Sequence, residues 1–407
     1  MALTMKQKKS LTKEVAKRYL RANKKKKAVM LDEYTATTGY NRSYAARMLR
    51  KSMLKDKTRK PAARQRDCIY DEDVLKALTK IWAILDMPCG KRLAAVMPET
   101  VEKLESCAEI RVSAPSRKKL ITISAATIDR LLLKERRKMR LKGRSWTKPG
   151  TLLKHQIPIR TFADWDEGRP GFVEIDLVGH DGGSLRGDFL QTLDVTDVFS
   201  GWTETRAVRN KAQKWVFEAL LDIIATLPFP VRGIDSDNGS EFINNQLVRF
   251  CSEKKITFTR SRPYRKNDNC FVEQKNYSVV RKTVGYMRFD TAEELQVLND
   301  IYDRLRLYTN FFQPSMKLIE KTRIGSKVKK RYDKPRTPYR RLLETPGIDE
   351  KIKTKLIAAY NVLNPAELKR QIISLQDKLF NIHINKKTML RKEETPPDLS
   401  STFSVRQ

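Results

Sequence analysis

The stretch VRGIDSDNGSEFINNQLVRFCSEKKITFTRSRPYRKNDNCFVE, residues 231–273, decides the fold of this chain. It begins with a short apolar run that ends at Asp235 and Asp237, and it closes with a basic loop and a helix start that carries Glu273. The 35 residues between Asp237 and Glu273 suffice for one helix and one strand, which would bring the two carboxylates back together. The stretch therefore predicts a strand, a helix, a strand and a second helix.

Three further strands and a helix are predicted upstream. Residues 169–183 (RPGFVEIDLVGHDGG) are apolar around Glu174 and Asp176, and residues 188–208 have the pattern of two strands joined by a turn. Residues 211–227 carry apolar side chains at helical spacing. The order of three strands, helix, strand, helix, strand and helix is typical of a mixed five-stranded α/β sheet with helices on its faces.

The charge of the chain points to a polyanionic partner. Its 407 residues include 83 Lys and Arg against 48 Asp and Glu, a net charge of +35, which favours nucleic acid. A ribosomal or membrane-surface protein is the alternative, but such proteins seldom have so long a patterned core. Two to four domains are expected at this length.

Cysteine and histidine usage excludes several kinds of site. The five cysteines are scattered and form no CxxC pair, so neither a disulfide framework nor a zinc cluster is indicated. Three histidines are too few for a His-rich metal site. Because no signal-peptide core and no run of 18 apolar residues occurs, we expect a soluble, reduced, intracellular protein.

Residues 1–55 are predicted to form a helix-turn-helix DNA-binding domain. Gly39 supplies a turn between two helical patterns, and Asn41 is placed to cap the second helix. The outward-facing basic residues of that helix, which we expect to contact DNA, are Arg42, Arg47, Arg50 and Lys51. A basic helical hairpin without groove contacts is the alternative.

A second helical unit follows a predicted linker over residues 56–69. Residues 70–140 again have helical spacing, with Pro98 expected to separate two helices and Ser124 expected to cap another. This unit is predicted to be a second helix-turn-helix DNA-binding domain. Its predicted DNA contacts are Arg130, Lys134 and Arg137. Residues 141–164 are expected to form a connecting arm.

The α/β pattern and the C-terminal segments complete the predicted domain order. The catalytic core is assigned to residues 165–310 and is followed by a basic, extended, DNA-clamping segment over residues 311–345. Residues 346–390 return to helical spacing and are a candidate for oligomerisation. Residues 391–407 are polar and Pro-containing, and are predicted to be disordered.

Three carboxylates form the candidate catalytic set. Asp176 lies within an apolar strand, where an unpaired carboxylate is costly to bury. If the first and fourth strands are neighbours, Asp176 and Asp237 lie side by side, with Glu273 on a flanking helix. Three such groups repel one another unless a hard cation lies between them, and oxygen ligands suit Mg²⁺ or Mn²⁺. Two such ions, about 3.5–4 Å apart, can serve displacement at phosphorus.

Each carboxylate also has a structural alternative. Asp176 can be a satisfied strand residue, Asp237 can belong to turn chemistry, and Glu273 can cap a helix. Other acids lie nearby in the sequence. Asp235 is a minor candidate, Glu241 is expected to begin a helix, and one of the two hairpin acids, Asp194 or Asp197, is an alternative lining residue.

The motifs SDNGSEF and RPYRKNDNCFVEQKN resemble the integrase core of the DDE transposase and retroviral integrase superfamily. The resemblance covers roughly residues 165–310, and the helical region before it is similar to that of bacterial insertion-sequence transposases. It implies an RNase H-like fold, two Mg²⁺ ions for which Mn²⁺ can substitute, and a catalytic, metal-binding triad at Asp176, Asp237 and Glu273. The N-terminal helical region contains no histidine, unlike the zinc module of retroviral integrases.

The resemblance implies a DNA transposase. Such a protein binds the terminal inverted repeats of a mobile element, cleaves at the element ends and joins the 3′-OH ends to target DNA. Its partners would be double-stranded DNA and at least one further copy of the chain, in the bacterial cytoplasm at the nucleoid. An inactive or domesticated DNA-binding regulator and an RNase H-like nuclease or resolvase are the alternatives.

Basic residues around the triad are predicted to hold phosphates, although a solvated basic face is the alternative. The predicted contacts of the core are Arg262, Arg265, Lys266, Lys275 and Arg281.

Overall fold

Strands and helices were assigned in a computed structural model that describes residues 3–51, 69–138, 168–237, 239, 241–242, 244–261, 270–324 and 327–394. The predicted arm over residues 141–164 lies outside these residues, as do Arg262, Arg265 and Lys266 and all but the last residue of the predicted linker. Internal contacts divide the chain into two units, Met1–Ile69 and Tyr70–Gln407.

The first unit contains three helices: α1 (Met5–Arg21), α2 (Lys24–Thr38) and α3 (Arg42–Lys51). Thr4 and Gln7 form a capping box at the start of α1, and the Asn23 side chain accepts the Lys26 N–H at the start of α2. Gly39 ends α2 with a φ of +70°, a conformation that glycine adopts without steric cost. A small apolar core joins the three helices through Ala16, Tyr19, Leu31, Tyr34, Ala45 and Leu49.

The second unit begins with five helices: α4 (Glu72–Ile84), α5 (Gly90–Ser106), α6 (Ala114–Ile121), α7 (Ala125–Leu131) and α8 (Leu133–Lys138). The predicted break at Pro98 is wrong, because α5 runs through it. Proline removes one helix hydrogen bond, but buried Leu93, Met97, Val101 and Leu104 hold both halves of α5 in one apolar core. The predicted cap at Ser124 is confirmed, since its hydroxyl accepts the Thr127 N–H.

The α/β core is built on five strands: β1 (Phe172–Gly179), β2 (Gln191–Asp197), β3 (Thr203–Val208), β4 (Gly233–Ser236) and β5 (Thr257–Arg260). Their order across the sheet is β3-β2-β1-β4-β5. The β1–β2 and β2–β3 pairs are antiparallel, whereas β1–β4 and β4–β5 are parallel. The predicted mixed five-stranded sheet is therefore confirmed, and so is the adjacency of the first and fourth strands.

Helices cover both faces and one edge of this sheet. Their bounds are α9 (Gln213–Thr226), α10 (Asn245–Glu253), α11 (Cys270–Lys275), α12 (Lys282–Val284) and α13 (Ala292–Phe312), with π-helical turns at Asn276–Arg281 between α11 and α12. Helix α13 closes the β3 edge, because the Asn299 and Asn310 side chains hydrogen-bond the backbone of Ala207 and Thr203. An edge strand covered in this way is protected from pairing with other chains.

The C-terminal part contains a hairpin and three helices: β6 (Leu318–Ile324), β7 (Lys327–Tyr332), α14 (Pro338–Glu344), α15 (Glu350–Val362) and α16 (Pro365–Glu394). The basic segment thus forms an antiparallel β-ribbon. Helix α16 extends four residues into the segment predicted to be disordered. Among the described residues, no helix is long and apolar enough to span a membrane.

The helical region α4–α8 packs into the same unit as the α/β core. The Tyr308 hydroxyl donates to the Ile84 carbonyl, and the Gln313 amide donates to the Leu85 carbonyl at 2.9 Å. At the other end of the region, Arg370 of α16 forms an ion pair with Glu109 at 2.7 Å. Helices α4–α8 are therefore docked on α13 and α16.

Candidate active site

The register of β1 and β4 places two acidic pairs on one face of the sheet. Glu174 lies directly opposite Asp235, and Ile175 lies opposite Ser236. Asp176 is the next residue of β1, and Asp237 directly follows β4. Continuing the parallel register therefore sets Asp176 beside Asp237. Because side chains alternate between faces, Glu174 and Asp176 lie on the face opposite the apolar cluster that packs on α9 and α10.

Asp176 is held by two hydrogen bonds. The Asn276 amide donates to its Oδ2 at 2.6 Å, and the Leu177 N–H donates to its Oδ1 at 2.8 Å. Burial is the main cause that raises the pKa of Asp176 to about 7; the negative charges of Asp237 and Glu273 add to the rise, and the two hydrogen bonds oppose it. The Asp176 carboxyl group is thus held in one orientation, while its surroundings disfavour its ionised form.

Asp237 follows β4 in the DNG motif. The Gly239 N–H donates to its Oδ1 at 2.8 Å, while burial and the Glu241 charge raise the pKa of Asp237 to about 6. A Cβ atom at Gly239 would lie 2.6 Å from the Glu241 carboxyl carbon, so a larger residue there would require the Glu241 side chain to move. The glycine of the motif therefore supplies the N–H donor of the turn and leaves room for the Glu241 carboxylate.

Glu273 lies in the first turn of α11 with its side chain exposed. Its negative charge contributes to the raised pKa values of both Asp176 and Glu174. The structure thus brings Asp237 and Glu273 each within electrostatic range of Asp176.

A fourth carboxylate, Asp194, lies opposite Asp176 across β1 and β2. It is fully buried, and burial raises its pKa while the nearby Lys275 ammonium opposes that rise. Within the described part of the chain, Asp194 Oδ2 has no hydrogen-bond partner. Of the two hairpin acids, Asp194 is thus the one that faces the site, whereas Asp197 accepts hydrogen bonds from Gly171 and Ser200 at the end of β2.

Glu174 and Asp235 form a buried acidic pair beneath the predicted triad. Both side chains are fully buried, and the Thr259 hydroxyl donates to Asp235. Glu174 Oε2 accepts the backbone N–H groups of Phe271 and Val272 at 2.9 Å each. Burial raises the pKa of Glu174 well above its usual range, and the Asp235 charge adds to this rise. The strand parity of Glu174, two residues before Asp176, was the available clue to its placement.

The predicted DNA-contacting residues fall into two groups. Those with exposed side chains are Arg42, Arg47, Arg50, Lys51, Arg130, Lys134 and Arg137. Arg42 among them pairs with Asp32, and the Arg47 guanidinium lies 5.4 Å from the Tyr44 ring centroid. The second group has internal partners: Lys275 faces Asp194, and Arg281 donates to the Gly179 carbonyl at 2.6 Å.

The donor chemistry of the site fits a hard divalent cation. Among the described residues, no three His, Cys, Asp or Glu side chains are close enough to hold a metal ion. The triad nevertheless offers only carboxylate oxygens, which Mg²⁺ and Mn²⁺ prefer. Burial and neighbouring negative charges raise the pKa values of Asp176 and Asp237, and a cation bound between these carboxyl groups would favour their ionised forms.

Comparison with known proteins agrees with this topology. The integrase core domain family matches residues 166–266. Gag-Pol polyprotein of avian reticuloendotheliosis virus is 28% identical over 110 residues, which are 27% of this chain and 9% of the polyprotein. The chain belongs to the DDE transposase/integrase superfamily, and its core has an RNase H-like fold. The integrase core supports a DNA recombinase-type function.

A closer relative spans most of the chain. Uncharacterized protein y4rM of Sinorhizobium fredii (strain NBRC 101917 / NGR234) is 42% identical over 331 residues, which are 81% of this chain and 93% of y4rM, so the two proteins belong to one family. Similar solved structures include the BIV integrase catalytic core, at 16% identity and a TM-score of 0.28 over 42% of this chain and 91% of that one. The HTLV-2 integrase catalytic core in complex with magnesium matches at 16% identity and a TM-score of 0.27, over 36% and 90%.

Proposed function

We propose that the chain is a DDE-type DNA transposase. It binds the terminal inverted repeats of a mobile element, cleaves the DNA at the element ends and joins the freed 3′-OH ends to target DNA. The observation that carries this proposal is that Asp176 and Asp237 directly follow the paired residues Ile175 and Ser236 of β1 and β4, while the charges of Asp237 and Glu273 both act on Asp176.

In this proposal, Asp176, Asp237 and Glu273 hold two Mg²⁺ ions, for which Mn²⁺ substitutes. The bound ions would supply an activated oxygen nucleophile and stabilise charge at the phosphorus and the leaving oxygen. The chain's own residues orient the carboxylates: Asn276 and Leu177 fix both oxygens of Asp176, and Gly239 fixes Asp237. The buried floor of the site, formed by β1, β2 and β4, excludes bulk water from beneath these groups.

DNA binding is assigned to the exposed basic surfaces. On α3, Arg42, Arg47, Arg50 and Lys51 would contact one segment of an element end, and Arg130, Lys134 and Arg137 at α7 and α8 would contact another. The two regions would act as helix-turn-helix readers.

The β6–β7 ribbon is assigned to the DNA backbone. Its exposed side chains include Lys329, Lys330 and Arg331. Its base is fixed to α14, because Arg341 bonds both Asp333 and the Ser315 carbonyl. A basic two-stranded ribbon with a rigid base suits contact with a polyanion.

The same proposal sets the assembly and the location of the protein. Two element ends must be processed together, which requires at least a dimer on paired ends. The work would take place in the bacterial cytoplasm, on nucleoid DNA.

An assay on labelled element ends tests the triad. The substrates are duplexes copied from the DNA that flanks the coding region, incubated with the full chain and Mg²⁺. We expect the wild-type protein to cleave and join them, and Asp176→Asn, Asp237→Asn and Glu273→Gln each to bind the duplex without cleavage or joining. Asp222→Asn, which changes an exposed acid on α9, is the matched control and should be active. Full activity in any triad variant would sink the assignment.

The same assay separates the alternatives. Cleavage without joining would favour a nuclease or resolvase, and binding without either reaction by the wild-type protein would favour a regulator. A phosphate-contacting protein should also lose affinity steeply as salt is added, with a slope of about −0.9 per phosphate contact. A flat salt response would contradict the assigned phosphate contacts.

A further inference from the structure

A side chain of β1, that of Glu174, caps the first turn of helix α11. The backbone N–H groups of Phe271 and Val272 lie in the first turn of α11, where a helix provides no acceptor of its own. Both donate to the same oxygen, Glu174 Oε2, at 2.9 Å. This acceptor is thus brought from a strand 97 residues earlier in the chain.

This cap is costly. Glu174 is fully buried and lies opposite a second buried acid, Asp235. Among the described residues, its other oxygen, Oε1, has no hydrogen-bond partner. A buried polar atom without a partner opposes folding, and so does the proximity of two acids. Helix capping for stability alone would be met by a local Ser, Thr, Asn or Asp, as at α2 and α7.

The position of the cap suggests what offsets this cost. Glu273 directly follows Val272, one of the two capped residues. Asp176 lies two residues after Glu174 on the same face of β1. Strand β1 therefore carries one triad residue itself and also fixes the start of the helix that carries another.

We propose that Glu174 is a positioning residue, which fixes the first turn of α11 through Phe271 and Val272 and so sets Glu273 against Asp176 and Asp237. This inference rests on the proposed role of Glu273 as a metal ligand. Misplacement of a catalytic group by about 1 Å can cost about 10²-fold in rate, so such an anchor has a measurable consequence.

Two substitutions at Glu174 separate the loss of its hydrogen-bond acceptor from the loss of its negative charge. Glu174→Gln retains a side-chain oxygen at the same distance and replaces Oε1 by an amide that can donate to Asp235. Glu174→Met has a similar length and fills the same buried space, but it has no acceptor oxygen. Glu204→Asp is the matched control, because Glu204 is a buried acid of the same sheet that pairs with Arg306.

Hydrogen–deuterium exchange on the full chain measures the anchor directly. In the wild-type protein, we expect slow exchange of the Phe271 and Val272 amides, although first-turn amides usually exchange fast. Exchange should become at least about tenfold faster in Glu174→Met and should change by less than about threefold in Glu174→Gln and Glu204→Asp. Equal exchange rates of the Phe271 and Val272 amides in Glu174→Met and Glu174→Gln would contradict the inference that Glu174 holds the first turn of α11.

Manganese affinity and cleavage of end duplexes then test the positioning role. We expect Glu174→Met to bind Mn²⁺ about tenfold more weakly and to cleave about 10²-fold more slowly, while Glu174→Gln retains both properties. If the Met variant frees the two amides but binds Mn²⁺ and cleaves like the wild-type protein, the positioning role is wrong. If Glu273→Gln cleaves at the wild-type rate, the proposed function is wrong. The exchange measurement would still show whether Glu174 holds the first turn of α11.

Discussion

The two faces of the five-stranded sheet are made by the same strands, but one face is apolar and the other is acidic. On one face, Val173, Ile175, Leu193, Val195 and Ile234 pack against α9 and α10 in a buried apolar cluster. On the other face, the same strands present Glu174, Asp176, Asp194, Asp235 and, just after β4, Asp237. The apolar face stabilises the fold, whereas the acidic face opposes folding until its charges are compensated.

This difference between the faces predicts that substitutions on them have opposite effects on activity and stability. Changes on the acidic face should remove activity with little loss of stability, and changes on the apolar face should do the reverse.

The largest effect is expected for Asp237→Asn. It should lower the rate of end cleavage by about 10³-fold or more, because several kcal/mol of metal-supplied stabilisation are lost and each 1.4 kcal/mol is tenfold. The melting temperature should stay the same or rise, since a charge that repels Asp176 and Glu241 is removed. Single-turnover cleavage and thermal unfolding measure both quantities. A large drop in melting temperature would contradict the comparison.

On the apolar face, Leu193→Ala should destabilise the protein by about 2–5 kcal/mol, the range for a large-to-small change in a packed core. Leu193 is fully buried among α9 and α10 side chains. Urea unfolding measures the loss, and the folded fraction should retain its cleavage rate at low temperature. A variant that is stable but inactive would show that the two faces are not separable.

The acidic face should also make the metal-free protein sensitive to pH. The pKa of Asp176 is raised from 3.8 to about 7, so the folded state binds more protons than the unfolded state between these values. This contribution to stability is therefore lost as pH rises from about 4 to about 7. Buried His180, whose pKa is lowered from 6.5 to about 3, acts in the opposite direction.

The difference in melting temperature between the wild-type protein and Asp176→Asn isolates the contribution of Asp176. In chelator-treated samples, the wild-type protein should lose stability relative to the variant as pH rises through this window. A constant difference between pH 4 and 7 would contradict the raised pKa of Asp176.

The smallest effect is expected for Asn276→Ala. It removes the 2.6 Å hydrogen bond to Asp176 Oδ2 but leaves the Leu177 contact in place. Cleavage should fall by about tenfold, which corresponds to the loss of one charge-assisted hydrogen bond. Tyr277→Ala, a change at the exposed neighbouring residue, is the control and should cleave like the wild-type protein. Equal rates for the two variants would refute the orienting role of Asn276.

Local sequence patterns predicted the sheet well. The apolar runs at residues 169–183 and 231–237 predicted β1 and β4, whereas their adjacency was only a condition for bringing Asp176 and Asp237 together, which the structure meets. The DNG motif also predicted the turn, in which Gly239 donates to Asp237. These features depend on short-range spacing, which a sequence contains directly.

Long-range pairing escaped prediction. Lys275 was expected to hold a phosphate, but it lies beside Asp194, because the register of β1 and β2 places that acid under α11. The capping of α11 by Glu174 spans 97 residues and has no local pattern. The continuity of α5 through Pro98 likewise depends on the core that surrounds the helix.

The central claim is that the acidic face is a divalent-metal site built on Asp176 and Asp237. Titration of the metal-free full chain with Mn²⁺, followed by electron paramagnetic resonance, tests it most directly. We predict that Asp176→Asn and Asp237→Asn each weaken Mn²⁺ binding by at least about tenfold, whereas Asp222→Asn binds like the wild-type protein. Equal Mn²⁺ affinity in the wild-type protein and both site variants would contradict the claim.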